Sequence, residues 1–117
     1  MKNKRRFSRV HFECDSVLVV DQQRFPTQIA DISLKGALVN KPDDWTVKIG
    51  ASAVLEMRLL GSDILLRMQL EIAHEKDDRL GIRFVSIDLE SISHLRRLME
   101  LNLGDSELIE RELTALG

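Results

Sequence analysis

Residues 64–72 have the sequence Ile64-Leu65-Leu66-Arg67-Met68-Gln69-Leu70-Glu71-Ile72, and this stretch decides the fold class. Its second half alternates between apolar and charged or polar side chains. Successive side chains of an extended strand point to opposite faces, so Met68, Leu70 and Ile72 share one face and Arg67, Gln69 and Glu71 the other. The pattern therefore predicts a strand with one face against a hydrophobic core.

Five further strands are predicted on both sides of this one. They are short β-branched or apolar runs bounded by turn-forming residues, at 16–21, 24–33, 36–39, 53–60 and 80–85. We place turns at Gln22-Gln23, Ser33-Leu34-Lys35, Gly61-Ser62-Asp63 and Glu75-Lys76-Asp77-Asp78, and a loop at 40–44. Six strands at short spacing predict a mainly β protein with a six-stranded antiparallel barrel, since closing the sheet protects its edges.

The periodicity changes after the last strand. Asp88 is a good N-cap candidate with Glu90 in the first turn, and Gly104 can supply a left-handed C-cap. Between them the apolar residues Ile92, Leu95, Leu98 and Met99 recur at helical spacing, and the polar residue Asn102 continues it. Asp105 can cap a second helix whose apolar stripe is Leu108, Ile109, Leu113 and Leu116.

The length of 117 residues favours one domain: a flexible basic arm at 1–9, a barrel at 10–87 and C-terminal helices at 88–117. Nothing approaches the roughly 18 consecutive apolar residues of a membrane span, and no apolar signal region follows the basic start. We therefore expect a cytoplasmic protein. Cys14 is the only cysteine, so no disulfide can form within the chain, and a buried, inert thiol is expected.

Basic charge is concentrated at the N-terminus, although the net charge of the chain is −2. The first nine residues contain five Lys or Arg and no acidic residue. Arginine presents a planar fork of donors that matches phosphate oxygens and the O6/N7 edge of guanine. A protein that binds long duplex DNA usually spreads basic charge over a larger surface. The arm therefore favours a small anionic guanine nucleotide.

Two motifs extend this interpretation. Arg5 and Arg9 form R-x-x-x-R, and Asp31-Ile32-Ser33-Leu34-Lys35-Gly36 forms D-x-S-x-x-G. In this order and flanked by strand patterns, they resemble the PilZ domain family, over nearly the whole chain. The resemblance implies a six-stranded barrel with an arm and a C-terminal helix, and binding of cyclic di-GMP as ligand, with no other cofactor.

The ligand-binding residues that we predict lie on both motifs. Arg5 and Arg9 can each present a bidentate fork to a guanine edge or a phosphate, and Arg6 between them can contact phosphate or stack. Asp31 can accept from the guanine N1–H and N2–H₂ groups, and Ser33 can donate to phosphate, unless these two side chains only satisfy a local turn. Gly36 allows a sharp turn and close approach of the ligand.

Weaker candidates surround this set. Lys35 would add positive charge, and His74 and Lys76 stand where many family members carry an aromatic residue or a polar contact on a late strand. PilZ domains bind one nucleotide or an intercalated pair, and the residue before R-x-x-x-R is thought to influence which. Here it is Lys4, whose charge could neutralise an extra phosphate, so we hypothesise a pair bound to one chain.

Two other classes of protein compete with a receptor. An enzyme lacks support, because the histidines and Cys14 are scattered and there is no P-loop, nucleophile elbow or zinc-ligand spacing. A module that binds RNA or an acidic protein through the basic arm is the alternative. We expect a monomeric receptor that changes conformation on binding nucleotide and signals to a downstream protein, with no metal and no nucleic-acid partner. The resemblance implies outputs in motility, surface polysaccharide or virulence.

Overall fold

A computed structural model describes residues 7–59 and 63–116 of the chain, apart from the side chains of Phe12 and Ser106. Six antiparallel strands form a closed barrel in the order β1-β2-β3-β6-β5-β4. Their bounds are Val10–Val20 (β1), Gln23–Ile32 (β2), Gly36–Asn40 (β3), Ser52–Arg58 (β4), Leu65–Lys76 (β5) and Arg79–Ile87 (β6). The predicted six-stranded antiparallel barrel is confirmed.

The strand β1 begins six residues earlier than the predicted strand. It pairs with β2 from Val10 opposite Ile32, and its register shifts between His11 and Cys14. This irregularity hides the alternation in residues 10–15, because a shifted register changes which side chains face the core. Near its other end β1 pairs with β4, from Ser16 opposite Met57 to Val19 opposite Val54, and so closes the barrel.

The turns differ in detail from the sequence prediction. The β1–β2 turn is centred on Asp21 and Gln22, both with positive φ, instead of Gln22-Gln23. Two positive φ values match the right-handed twist of a tight hairpin. The β5–β6 hairpin runs further than predicted, because Lys76 still pairs with Arg79 and only Asp77 and Asp78 remain as the turn. The predicted Gly61-Ser62 turn lies outside the described residues.

The core fills the inside of the barrel and extends beneath the first helix. The predicted inward face of β5 is confirmed, since Met68, Leu70 and Ile72 are fully buried. They meet buried apolar side chains from the other strands, among them Leu18, Ile29, Val39, Leu55 and Leu80. Trp45 packs edge-on against Phe25, with ring centroids 4.9 Å apart, and covers the side of this core.

Helix α1 (Leu89–Leu103) follows β6 and lies against the barrel. The predicted cap is confirmed: the Asp88 carboxylate accepts a hydrogen bond from the Ser91 N–H at 2.7 Å, and this bond lowers the pKa of Asp88. Leu95, Leu98 and Met99 are buried, whereas Asn102 is exposed instead of extending the stripe. The buried Ser91 hydroxyl accepts from the Arg67 N–H and ties the helix to β5.

Helix α2 (Ser106–Leu116) begins after Gly104, whose φ of 70° is the predicted left-handed C-cap. Asp105 caps it as predicted, through the Leu108 N–H at 3.0 Å. Ile109 is buried and Leu113 packs at the edge of the core, but Leu116 is exposed. The inward face instead includes Glu112, with 6% of its surface exposed, which the apolar pattern could not predict.

Candidate functional site

An open groove of about 220 Å³ lies on the outside of the barrel where the β2–β3 hairpin meets the β5–β6 hairpin. Its walls combine basic, acidic and small residues. From the predicted site it contains Arg9, Asp31, Ser33, Lys35, Gly36 and His74, joined by Ala37, Leu38, Ala73, Gly81, Ile82 and Arg83. The fold therefore brings six of the predicted residues together, although they are up to 65 positions apart.

Ser33 organises the turn of D-x-S-x-x-G. Its hydroxyl oxygen accepts hydrogen bonds from the N–H groups of Lys35 at 3.1 Å and Gly36 at 3.2 Å, and its N–H donates to the Gly36 carbonyl at 2.8 Å. The hydroxyl lies 3.3 Å from the same carbonyl, to which it can donate its proton. The local-turn alternative is therefore realised for Ser33, in a turn that also lines the groove.

Gly36 is required by a neighbouring strand. It lies opposite Arg83 in the β3–β6 ladder, and a Cβ atom added to it would collide with the Ile82 carbonyl oxygen. Its φ is not among the positive values found in the described residues. The predicted sharp turn is thus not the reason for glycine at this position, because the close approach of β6 already demands it.

His74 lies flat over Gly81, its cross-strand neighbour, whose missing side chain leaves room for the imidazole ring. The ring itself is exposed and forms part of the groove wall. An exposed, planar ring held against backbone offers a stacking surface for a purine base. Lys76 lies two residues further along β5, at the hairpin end, and is not among the residues that line the groove.

Arg83 is a groove residue that the sequence interpretation missed. It follows Ile82 and precedes Phe84, both buried, so it points outward from β6, where it pairs with Glu71. The signal for it in the sequence is the alternation of apolar residues with other residues along this strand, which leaves an arginine at an outward-facing position. Because strand order in the barrel was unknown, nothing in the sequence placed Arg83 opposite Gly36.

Arg9 and Asp31 supply opposite charges to the same groove. Neither side chain takes part in a hydrogen bond or an ion pair within residues 7–59 and 63–116. No partner among those residues occupies their donors and acceptors. Lys35 is exposed, with its ammonium 5.6 Å from the centroid of the Phe7 ring, a distance at which a cation and an aromatic face attract.

The base of the arm, which we predict to be part of a flexible segment at 1–9, contacts the rest of the protein. Phe7 packs at the edge of the core, and Ser8 donates two hydrogen bonds to Glu112 of α2. These contacts were not predictable from the sequence, because their partners are distant in the chain. Lys4, Arg5 and Arg6, predicted to bind the ligand, lie outside the described residues.

Other chemistry is sparse in the described part of the chain. Cys14 is half-buried. Its burial, and to a lesser extent the charge of Asp15, raises the pKa of its thiol. The thiol is therefore a poor nucleophile at neutral pH. The ranges 7–59 and 63–116 contain no group of three His, Cys, Asp or Glu side chains arranged to hold a metal ion. Neither described helix is long and apolar enough to cross a membrane.

Solved structures with the same fold come from several bacteria. The PilZ domain of YcgR from Escherichia coli, solved with c-di-GMP, matches with a TM-score of 0.67 and 16% identity over 86% of this chain and 92% of that one. The PilZ domain of CeSA from a cellulose-synthesising bacterium matches with a TM-score of 0.63 and 14% identity over 83% and 96%.

A third structure is that of the Bacillus subtilis inhibitor of motility, MotI/DgrA, with a TM-score of 0.70 and 16% identity over 85% of this chain. The match spans only 53% of the length of that protein. At these identities the structures establish a shared fold. The sequence itself matches the PilZ domain family over residues 3–101, which is most of its length. The chain therefore belongs to the PilZ domain family.

Proposed function

We propose that this chain is a non-enzymatic receptor for cyclic di-GMP. The observation that carries the proposal is the meeting of Arg9 with the Asp31–Gly36 turn in one groove, on a fold that in YcgR was solved with this nucleotide. The groove contains binding groups of the kinds that the nucleotide requires. Its serine hydroxyl, that of Ser33, is hydrogen-bonded to the backbone of its own turn, and no hydrogen bond joins it to His74 among the described residues.

Cyclic di-GMP carries two phosphates and two guanine bases, and each has a matching group in the proposed site. The forks of Arg9 and Arg83 suit phosphate oxygens or the guanine O6/N7 edge. The Asp31 carboxylate, which has no ion pair or hydrogen bond within residues 7–59 and 63–116, can accept from guanine N1–H and N2–H₂, which adenine does not present. His74 offers a stacking face. Arg5 and Arg6, on the same arm as Arg9, complete the set of cations.

The signal would pass to another molecule. We propose a single cytoplasmic domain that acts as a monomer, changes its arm conformation when nucleotide binds and presents the altered surface to a downstream protein. Ordering each arm residue costs roughly 1–2 kcal/mol of conformational entropy, so the bound state must gain contacts that exceed this cost.

Calorimetric titration with cyclic di-GMP and with cyclic di-AMP tests this function. We expect guanine-selective binding by the wild type and about 100-fold weaker binding by R5A/R9A, since each bidentate arginine contributes roughly 1–3 kcal/mol. The matched control is R79A/R97A, which removes two exposed arginines that do not line the groove. Equal affinity of the two double variants, or equal affinity for both nucleotides, would refute the proposal.

The same titration measures stoichiometry. We propose an intercalated pair per chain, because Lys4 adds a cation before R-x-x-x-R and the groove is open to solvent. Saturation at two nucleotides per chain in the wild type and at one in K4A is the expected result. Saturation of the wild type at one nucleotide would contradict the pair and leave the receptor proposal standing.

Salt dependence separates this function from the alternative of a basic arm that binds RNA or an acidic protein. Binding to a polyanion weakens steeply with salt in proportion to the number of phosphates neutralised. A dinucleotide with two phosphates should show a shallow dependence. No binding of cyclic di-GMP, together with salt-sensitive capture of RNA or an acidic polypeptide, would favour the alternative.

A further inference from the structure

Helix α2 contacts the arm through one buried carboxylate. Oε2 of Glu112 accepts hydrogen bonds from the Ser8 N–H at 3.0 Å and from the Ser8 hydroxyl at 2.6 Å. Its other oxygen, Oε1, is buried without a hydrogen-bond partner among the described residues. Hydrogen bonds to an ionised carboxylate are about twice as strong as neutral ones, so the two bonds from Ser8 offset part of the cost of burying this group.

Ser8 lies inside the R-x-x-x-R motif, directly before Arg9. The residues on its two sides are held by different parts of the molecule: Phe7 packs at the edge of the core beside the Lys35 ammonium, and Arg9 lines the groove. Three consecutive residues thus have different positions: Phe7 contacts the barrel, Ser8 contacts α2 and Arg9 lines the groove. The described end of the arm is therefore fixed at each of these residues.

We propose that Glu112 is a positioning residue for the nucleotide site, an inference that rests on the proposed function. By holding Ser8 it fixes the backbone next to Arg9, which lines the groove. The conformational entropy of the arm base is then lost during folding and not during binding.

Linkage makes this coupling reciprocal. If docking of α2 raises the affinity for nucleotide, binding of nucleotide must stabilise the docked α2 by the same factor. Helix α2 would therefore become more rigid when the groove is occupied. This gives the C-terminal helix, which does not line the groove, a direct part in the response.

Affinity measurements on paired variants test the inference. We expect about tenfold weaker binding of cyclic di-GMP by E112L, from loss of hydrogen bonds to a charged group, and a smaller loss by E112Q, whose amide oxygen still accepts. The control is E107L, the same change on an exposed position of α2. If Glu112 acts through Ser8, E112L should cost less in an S8A background, which keeps only the bond from the Ser8 N–H, than in the wild type.

Hydrogen exchange of the α2 amides provides a second readout. Nucleotide should slow exchange in wild-type α2 and in E107L, and this effect should be lost in E112L. Unchanged affinity of folded E112L, or faster α2 exchange with nucleotide, would overturn the inference while the receptor function stands. Failure of the wild type to bind would instead refute the proposed function, and the positioning role would fall with it.

Discussion

Two glycines of the groove lack side chains for different reasons, and the difference has measurable effects. The atom nearest to a Cβ at Gly36 is the backbone carbonyl oxygen of Ile82, whereas the three atoms nearest to a Cβ at Gly81 all belong to the His74 ring. Backbone in a closed barrel cannot move aside easily, but an exposed ring can rotate. A side chain at Gly36 should therefore affect mainly the stability of the fold, and one at Gly81 mainly the contact of His74 with the ligand.

We expect Gly36→Ala to lower the free energy of unfolding by about 1–3 kcal/mol, the usual range for overpacking. Gly81→Ala should cost less stability and instead displace His74 from the groove wall. Urea denaturation of both variants checks the first statement, and nucleotide titration of Gly81→Ala checks the second. Equal stability of the two variants would contradict this distinction.

Arg83 is expected to bind ligand without supporting the fold. Its ion pair with Glu71 is exposed, and such pairs contribute about 0–1 kcal/mol. Arg83→Ala should therefore lower the affinity for cyclic di-GMP about tenfold. The midpoint of thermal unfolding should stay close to that of the wild type. The control is Arg24→Ala, which removes an arginine of similar exposure that pairs outside the groove with the less exposed Glu56.

At the scale of elements, the start of α1 depends on a titratable cap. The hydrogen bond from Ser91 lowers the pKa of Asp88. The carboxylate consequently stabilises the fold above the ordinary aspartate pKa of about 3.9, and this contribution is lost as the pH falls through the lowered folded value.

Asp88→Asn separates capping from charge. Asparagine caps a helix as well as aspartate but does not titrate. When the pH is lowered from 5 to about 2, the variant should therefore lose less of its free energy of unfolding than the wild type. Asp88→Ala should be less stable at neutral pH. Urea denaturation across this range is the measurement, and parallel pH profiles for Asp88→Asn and the wild type would exclude the mechanism.

The elements were largely predictable because their signals are local. The alternation in β5, the Asp88 cap and the Gly104 C-cap each act within a few residues. The β1 bulge, the Arg83 position and the Ser8–Glu112 contact were not predictable, since each depends on partners brought together by the barrel. Glu112 in particular is not one of the apolar residues from which the inward face of α2 was predicted.

For the molecule as a whole, the packing predicts one cooperative unit. Leu95, Leu98 and Met99 of α1 belong to the same core as the strands, and Arg96 links α1 to Glu110 of α2. Trp45, the only tryptophan, reports on the barrel through its contact with Phe25. Both described helices are C-terminal, so a helical signal reports on a different part of the molecule.

Urea unfolding followed by tryptophan fluorescence and by circular dichroism at the helical band should give coincident transitions, as expected for a two-state domain. The reason is that the barrel core is incomplete without α1. A helical transition at lower urea than the fluorescence transition would show that the helices unfold separately. The variant E112L would then identify whether α2 alone is responsible.

The strand order also fixes when the groove can come into existence as the chain folds. The β2–β3 and β5–β6 hairpins form from neighbours in sequence, but the groove lies where they meet, at the β3–β6 pairing. Such non-local pairings are the slow part of folding, because a long loop must close first. A partly folded chain with both hairpins formed would thus have every groove residue and no groove, so nucleotide recognition would itself distinguish finished molecules from unfinished ones.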